Sequence, residues 1–147
     1  MRRTSFKEKY LLATILIIGS FNVSAHGAVT PQSIDTSELP QLGEEWIEEN
    51  PYRQHGGDIQ IDIIRVGASA YNQNCARCHG LGGISGGIAP DLRLLAPDID
   101  GDEWYGYRVQ NGAVRNGAVY MPKMTEHLTQ EALWAIKTWL ESVSEDN

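Results

Sequence analysis

The stretch Cys75-Ala76-Arg77-Cys78-His79 decides the fold, and its pattern is C-x-x-C-H. Two thiols three residues apart lie on one turn of helix, where each can bond a vinyl-derived carbon on the same edge of a porphyrin. The next residue, His79, then points over the face of the ring, where its imidazole can ligate iron. This pattern is the attachment signature of c-type haem. It predicts one haem c, bound covalently through Cys75 and Cys78, with His79 as an axial iron ligand.

Paired cysteines also occur in other kinds of site. In an exported protein, C-x-x-C can be a thioredoxin-like redox pair or a lone disulfide. A thioredoxin-like pair follows a strand within a βαβ unit, and the sequence indicates neither. A structural zinc site needs four ligands, whereas His26, His55 and His127 are scattered without ligand spacing. Haem attachment is the favoured interpretation, and a haem-free thiol oxidoreductase is the alternative.

The segment after the motif, residues 80–101, is rich in glycine and proline. Glycine lets the backbone pass close to a flat, bulky group. A ligating histidine usually donates its Nδ1–H to an acceptor that fixes the ring. The Pro90 carbonyl is the predicted acceptor, and Leu92 is predicted to pack on the haem edge. The alternative is that Pro90 only makes a turn.

The segment before the motif has the periodicity of an amphipathic helix that runs from about Ile59 into Cys75. Asp58 or Asp62 is expected to cap its start. The apolar positions on one face of this helix are Ile63, Val66, Gly67, Ala70 and Tyr71.

Another helix is predicted to follow Thr129, a good N-cap residue. A shorter one is expected over residues 103–111, ended by Gly112. No alternating pattern favours strands, so the predicted fold class is all-α. The expected buried stripe of the last helix is Ala132, Leu133, Ile136, Trp139, Leu140 and Val143.

Three aspartates, Asp98, Asp100 and Asp102, have the spacing that begins a calcium-binding loop. However, Glu103 stands where such a loop requires glycine, and Val109 stands where it requires a bidentate glutamate. The sequence therefore predicts a solvated acidic turn here.

Residues 1–25 are predicted to be a signal peptide. Basic residues are followed by an apolar run of 11 residues, too short to span a bilayer comfortably, and Val23-Ser24-Ala25 suits a signal peptidase. Cleavage after Ala25 makes the periplasm the expected location, without stable membrane insertion. An uncleaved anchor helix is the alternative.

Residues 26–57 are predicted to form an extended arm, and residues 58–147 the main domain. Prolines and glycines punctuate the arm, and a short helix is expected over residues 43–50. Trp46, Ile47 and Tyr52 are the expected anchors against the domain. A free tail is the alternative.

The 147-residue chain has 12 basic and 19 acidic residues, a net charge of −7. Removal of residues 1–25 leaves 8 basic and 18 acidic residues, a net charge of −10. Nucleic-acid binding needs a basic footprint, so no nucleic-acid partner is expected.

From Gly67 onward the chain resembles class I cytochromes c, on the helix ending in the C-x-x-C-H motif, Pro90 with Leu92, Met121-Pro122 and the aromatic last helix. Within that family it is similar to the soluble cytochromes c-550 that pair with pyrroloquinoline quinone (PQQ) dependent alcohol dehydrogenases. The runs that carry this closer likeness are Leu42-Gly43-Glu44-Glu45-Trp46, Asn50-Pro51-Tyr52-Arg53, Gly67-Ala68-Ser69-Ala70-Tyr71-Asn72-Gln73-Asn74, Ile84-Ser85-Gly86-Gly87-Ile88-Ala89-Pro90-Asp91-Leu92-Arg93 and Val119-Tyr120-Met121-Pro122.

The resemblance implies a monohaem one-electron carrier, not an enzyme. It implies Met121 as the sixth iron ligand, with Met124 and then His127 as alternatives. It also implies a PQQ-dependent alcohol dehydrogenase as electron donor and a downstream cytochrome or oxidase as acceptor. The alternatives are a haem enzyme or sensor with an open sixth position, and a carrier for a different dehydrogenase.

Overall fold

A computed structural model of the chain describes residues 30–145, and the predicted signal peptide, residues 1–25, lies outside them. Within this part, four α-helices and one two-stranded antiparallel sheet follow one another along the chain, joined by short 3-10 turns. No helix among these residues is long and apolar enough to cross a membrane. The elements are α1 (Gly57–Asn74), α2 (Ala76–His79), α3 (Ile99–Asn111), β1 (Ala113–Arg115), β2 (Ala118–Met121) and α4 (Gln130–Ser142).

The closest helix pair is α1 with α4. A Cβ at Gly67 would lie only 2.0 Å from the Ala135 carbonyl oxygen, so glycine is what lets the two backbones meet. One turn further along α1, the ring of Tyr71 packs on Trp139 with 4.5 Å between centroids. The predicted amphipathic helix is confirmed, but its predicted aspartate cap is wrong. The helix begins after Gly56, which has no side chain to cap with.

Helix α4 is capped as predicted, because the Thr129 hydroxyl accepts a hydrogen bond from the Ala132 N–H at 3.3 Å. Its burial differs from the prediction. Residues 131–141 are all buried, not only one stripe, whereas Val143 is half-buried. The reason is that the arm covers the face of α4 that the predicted stripe leaves exposed.

The arm, residues 30–56 of the described chain, packs along α3 and α4 instead of trailing as a free tail. Trp46 lies on Trp134 with 5.1 Å between ring centroids. Tyr52 is fully buried and donates its hydroxyl to the Pro40 carbonyl at 2.5 Å. Ile47 is only half-buried. Residues 43–50 form bends, so the predicted short helix is wrong.

The predicted solvated acidic turn is also wrong. Asp98 caps α3 by accepting the Gly101 N–H at 3.0 Å, and α3 therefore begins earlier than expected. Asp102 is completely buried. Its carboxylate pairs with Arg53 of the arm and, at 3.2 Å, with the Lys137 ammonium of α4. The positive charges of Arg53 and Lys137, which come from two distant segments, compensate for the burial of the Asp102 carboxylate.

The hairpin β1–β2 was not predicted. Val114 pairs with Val119, and the turn between the strands is Asn116-Gly117, both with positive φ. Asn-Gly is the residue pair that tight hairpin turns prefer, so this dipeptide was the available signal. Met121 is the last residue of β2 and therefore of the hairpin.

Candidate haem site

The C-x-x-C-H motif forms one compact turn at the end of α1. The Cys75 N–H donates to the Tyr71 carbonyl at 2.8 Å, which closes α1. The N–H groups of Cys78 and His79 then donate to the Cys75 carbonyl at 3.1 and 3.0 Å. Both thiols are free, Cys78 is exposed and Cys75 is half-buried. The two thiols and the imidazole therefore share a single turn, as haem attachment requires.

The two thiols differ in exposure, and Cys75 is the more enclosed of the pair. Burial, and to a smaller extent the neighbouring Cys78, raise the pKa of the Cys75 thiol to about 12.

The His79 ring is held on one side by the backbone. Its Nδ1 lies 2.9 Å from the Pro90 carbonyl oxygen, the acceptor that the sequence predicts. A carbonyl can only accept, so Nδ1 carries the proton and Nε2 carries the lone pair. The geometry leaves Nε2 as the nitrogen able to ligate a metal.

Two contacts that the sequence did not predict, made by Gly80 and Tyr71, shape the turn after His79. Gly80 has a φ of +83°, and a Cβ there would lie 1.8 Å from the Ile84 carbonyl oxygen. The Tyr71 hydroxyl donates to the Gly80 carbonyl at 2.7 Å and so ties this turn back to α1. The glycine-rich composition was the only sequence signal for the close backbone approach.

The methionines differ in burial. Met124 is 4% exposed and belongs to the core, whereas Met121 is half-buried at the end of β2 and packs against the core's edge. His127 is exposed. Leu92 is buried in the core cluster. The iron-ligand role of Met121 and the haem contact of Leu92 remain predictions.

The loop after the motif exposes large apolar side chains, and Leu81 is 78% and Ile88 76% exposed. Such exposure suits a loop that packs against an apolar group. Within residues 30–145, no cluster of three or more His, Cys, Asp or Glu could hold a metal ion, so a zinc site does not fit. The exposed apolar side chains of the loop after the motif and of the hairpin are Leu81, Ile84, Ile88, Leu94, Val114, Val119 and Tyr120.

Comparison with known proteins agrees with this chemistry. The family model described as "Cytochrome C oxidase, cbb3-type, subunit III" matches residues 62–140, more than half of the chain. Cytochrome c550 of Pseudomonas aeruginosa is 55% identical over 140 residues, which is 92% of this chain and 96% of that protein. The chain belongs to the cytochrome c family.

Two further relatives are dehydrogenases from Pseudomonas putida. Quinohemoprotein alcohol dehydrogenase ADH-IIG is 33% identical over 70 residues, 46% of this chain but 10% of that protein. Quinohemoprotein alcohol dehydrogenase ADH IIB is 34% identical over 79 residues, 54% of this chain and 11% of that protein. No solved structure gives a significant match.

The family settles several of the sequence-based expectations. The protein is a class I cytochrome c with one covalently bound haem c, consistent with its two cysteines. It is an electron carrier and not an enzyme, so the haem-enzyme alternative is set aside. Within residues 30–145 the domain is mainly helical as predicted, with a small hairpin added.

Proposed function

We propose that this cytochrome works in the periplasm, accepts single electrons from a PQQ-dependent alcohol dehydrogenase, and passes them to a downstream cytochrome or oxidase. In this assignment Cys75 and Cys78 would tether the haem, and His79 and Met121 would ligate its iron. Haem c supplies a one-electron Fe(III)/Fe(II) couple when bound.

The chain's own residues suit a carrier. The Pro90 carbonyl orients the His79 imidazole, and such a partner raises the basicity of the ligand. A thioether from Met121 is a soft ligand that favours Fe(II) and raises the reduction potential. With both His79 and Met121 as ligands, the iron would have no position left for a substrate, which suits an electron carrier.

The similarity to two quinohaemoprotein alcohol dehydrogenases is the observation that carries the choice of donor. Each match covers about half of this chain and only a tenth of the dehydrogenase. In such an enzyme, a short cytochrome-like segment belongs to the same chain as the dehydrogenase. This protein would be the same kind of carrier as a separate chain. The same electron chemistry can therefore serve either an attached or a diffusing carrier.

The acidic surface supports a partner with basic residues around its electron exit. Glu48 of the arm and Glu103 of α3 line one surface groove together with Trp46 and Ile99, so two acidic segments meet on one face. Asp102 is buried and paired, and it adds nothing to that face. Opposite fields steer encounter and suit a weak, short-lived complex.

Stopped-flow reduction of the oxidised cytochrome by purified PQQ-dependent alcohol dehydrogenase, with alcohol present, tests the donor. We expect fast reduction that slows as salt screens the pair. No reduction removes this donor, and reduction by another dehydrogenase instead favours the alternative carrier role. Fast reduction that does not depend on salt would support this donor but would contradict electrostatic steering.

The N-terminus of the mature protein tests the proposed export. The sequence of the first 25 residues supports cleavage after Ala25. N-terminal sequencing of the protein from a periplasmic extract is expected to begin at His26. A chain that retains Met1 and sediments with membranes would favour an uncleaved anchor.

A further inference from the structure

The loop that carries Pro90 is closed on itself by side chains. The Ser85 hydroxyl donates to the Ala89 carbonyl at 2.6 Å and accepts the Gly87 N–H at 3.0 Å. The Ser85 N–H donates to Asp91 Oδ2 at 3.2 Å. Both neighbours of Pro90 in the chain are therefore held in place, Ala89 through its carbonyl and Asp91 through its carboxylate.

Arg93 clamps Asp91 from the other side. Its Nε donates to Asp91 Oδ1 at 3.1 Å and its Nη2 to Oδ2 at 2.8 Å, a two-pronged geometry with high directional specificity. The Asp91 Oδ1 also accepts the Arg93 N–H at 3.1 Å. The bonds from Arg93 hold the pKa of Asp91 at about 2, so the carboxylate stays charged at ordinary pH.

Arg93 is in turn held by the residues that follow α4. Its carbonyl accepts the Ser144 hydroxyl at 3.0 Å and the Glu145 N–H at 3.4 Å. Its Nη2 also lies 2.7 Å from Glu145 Oε1. The two bonds to the carbonyl fix Arg93 without the Glu145 carboxylate, so loss of that carboxylate alone leaves Arg93 in place beside Asp91.

We propose that Asp91 and Arg93 are positioning residues that hold the Pro90 carbonyl on the Nδ1–H of His79. The proposal rests on the iron-ligand role proposed for His79. A carbonyl held at 2.9 Å keeps the imidazole oriented and electron-rich, which stabilises Fe(III). If the clamp is loosened, the hydrogen bond opens more often, the imidazole becomes a weaker donor and the reduction potential rises.

The experiment compares three variants of the haem-loaded protein. Asp91→Asn removes the negative charge that pairs with Arg93. Arg93→Lys keeps the positive charge but cannot make the two parallel hydrogen bonds of a guanidinium. Glu145→Gln is the matched control, because it removes one carboxylate from the same guanidinium without touching the loop. The readouts are solvent exchange of the His79 Nδ1–H in the reduced protein by NMR, and the reduction potential.

We expect the Nδ1–H to exchange about tenfold faster in Asp91→Asn and in Arg93→Lys, on the scale of one lost charge-assisted hydrogen bond. It should be unchanged in Glu145→Gln. Exchange of the α4 backbone amides serves as the reference that separates local opening from global unfolding. The potential should rise in Arg93→Lys, where net charge is constant and a simple loss of charge cannot explain the shift.

Unchanged Nδ1–H exchange in both loop variants overturns the proposal, as does an equal effect in Glu145→Gln. If Asp91→Asn does not assemble, Arg93→Lys alone decides, because it retains both charges. The ring protons of His79 in the unsubstituted protein report separately on ligation. If they lack the shifts of an iron ligand, the His79 assignment fails and this proposal fails with it.

Discussion

The arm region and the motif region are packed in opposite ways. The arm region, residues 30–56 with the faces of α3 and α4 beneath it, encloses Trp134, Tyr52, Lys137 and Asp102 with essentially no exposed surface. The motif region, defined as residues 75–97 together with the hairpin, exposes several large apolar side chains. The chain completes its first region with its own residues, whereas the second leaves apolar side chains exposed in the same segment as the C-x-x-C-H motif.

The difference extends to how each region handles charge. In the arm region, Lys137 contacts Asp102 at 3.2 Å, Glu141 at 2.7 Å and the Ala96 carbonyl at 3.0 Å, with its side chain fully buried. Burying these charges is tolerable only because they are paired. The motif region instead brings together two free thiols and an imidazole, which are groups that can bond a haem. The arm region is therefore completed by the chain's own side chains, whereas the motif region is completed by the haem.

Removal of both tethers should have the largest effect. Cys75→Ala/Cys78→Ala should yield a chain without covalent haem that loses most of its helical circular dichroism, because the haem forms much of the core of a class I domain. The expected loss is comparable to the whole stability of a small domain, on the order of 5–15 kcal/mol. Mass spectrometry and circular dichroism check this. A haem-free variant with unchanged dichroism and melting would contradict it.

The next largest effect should come from the arm region. Lys137→Met removes the ammonium between Asp102 and Glu141, and breaking a buried ion pair in this way costs about 3–5 kcal/mol. Urea unfolding of the haem-loaded protein measures the loss. The haem spectrum without urea should be unchanged, because Lys137 donates to the motif region only at the Ala96 carbonyl, whereas the C-x-x-C-H turn is closed by its own backbone hydrogen bonds.

The control for that variant is an exposed ion pair. Arg65→Ala breaks the contact with Asp62, where both side chains are largely solvent-accessible, and should cost about 0–1 kcal/mol. If Lys137→Met costs no more than Arg65→Ala, the buried network does not stabilise the arm region.

Acid should loosen the arm by a smaller amount. Burial alone would raise the pKa of Glu131, but hydrogen bonds, first that from the Leu42 N–H, lower it below the ordinary 4.5. A lowered pKa means that the carboxylate stabilises the fold above about 4.5, and that this contribution is lost as pH falls through the lowered value.

Glu131→Gln keeps the size and an acceptor for Leu42 but carries no charge. We expect it to lose about 1 kcal/mol at pH 7 and to show a flatter decline in stability below pH 4.5 than the unsubstituted protein. Urea midpoints over a pH series measure both. Parallel curves for the two proteins would mean that Glu131 does not set the acid sensitivity.

The motif region was largely predictable because its signals are local. The spacing of Cys75, Cys78 and His79 predicts one turn, and the Pro90 carbonyl lies 2.9 Å from His79 Nδ1. The same holds for the helices whose apolar positions repeat within a few residues. The Asn116-Gly117 turn was also a local signal, although it was overlooked.

In the arm region, Trp46 and Tyr52 pack against the domain as predicted, but the hydrogen bonds of the arm were not predictable, because its partners are far away in the chain. The N–H groups of Leu42 and Ile47 donate to the side chains of Glu131 and Gln130, more than 80 residues on. Backbone groups satisfied in this way do not need a helix. Gln130 Nε2 likewise donates to two arm carbonyls at 2.8 Å. Helix propensity over residues 43–50 is overridden by these contacts, and the burial of Asp102 has the same long-range origin.

Methionine substitutions test the central claim most directly, namely that Met121 at the end of the hairpin, and not the buried Met124, is the second protein ligand of the haem iron. The oxidised spectra of Met121→Leu and Met124→Leu form a matched pair, since leucine nearly conserves the volume of methionine. We predict that the thioether-to-iron charge-transfer band at the red end of the spectrum persists in the unsubstituted protein and in Met124→Leu, and disappears in Met121→Leu. A band that survives in Met121→Leu and is lost in Met124→Leu would contradict the account.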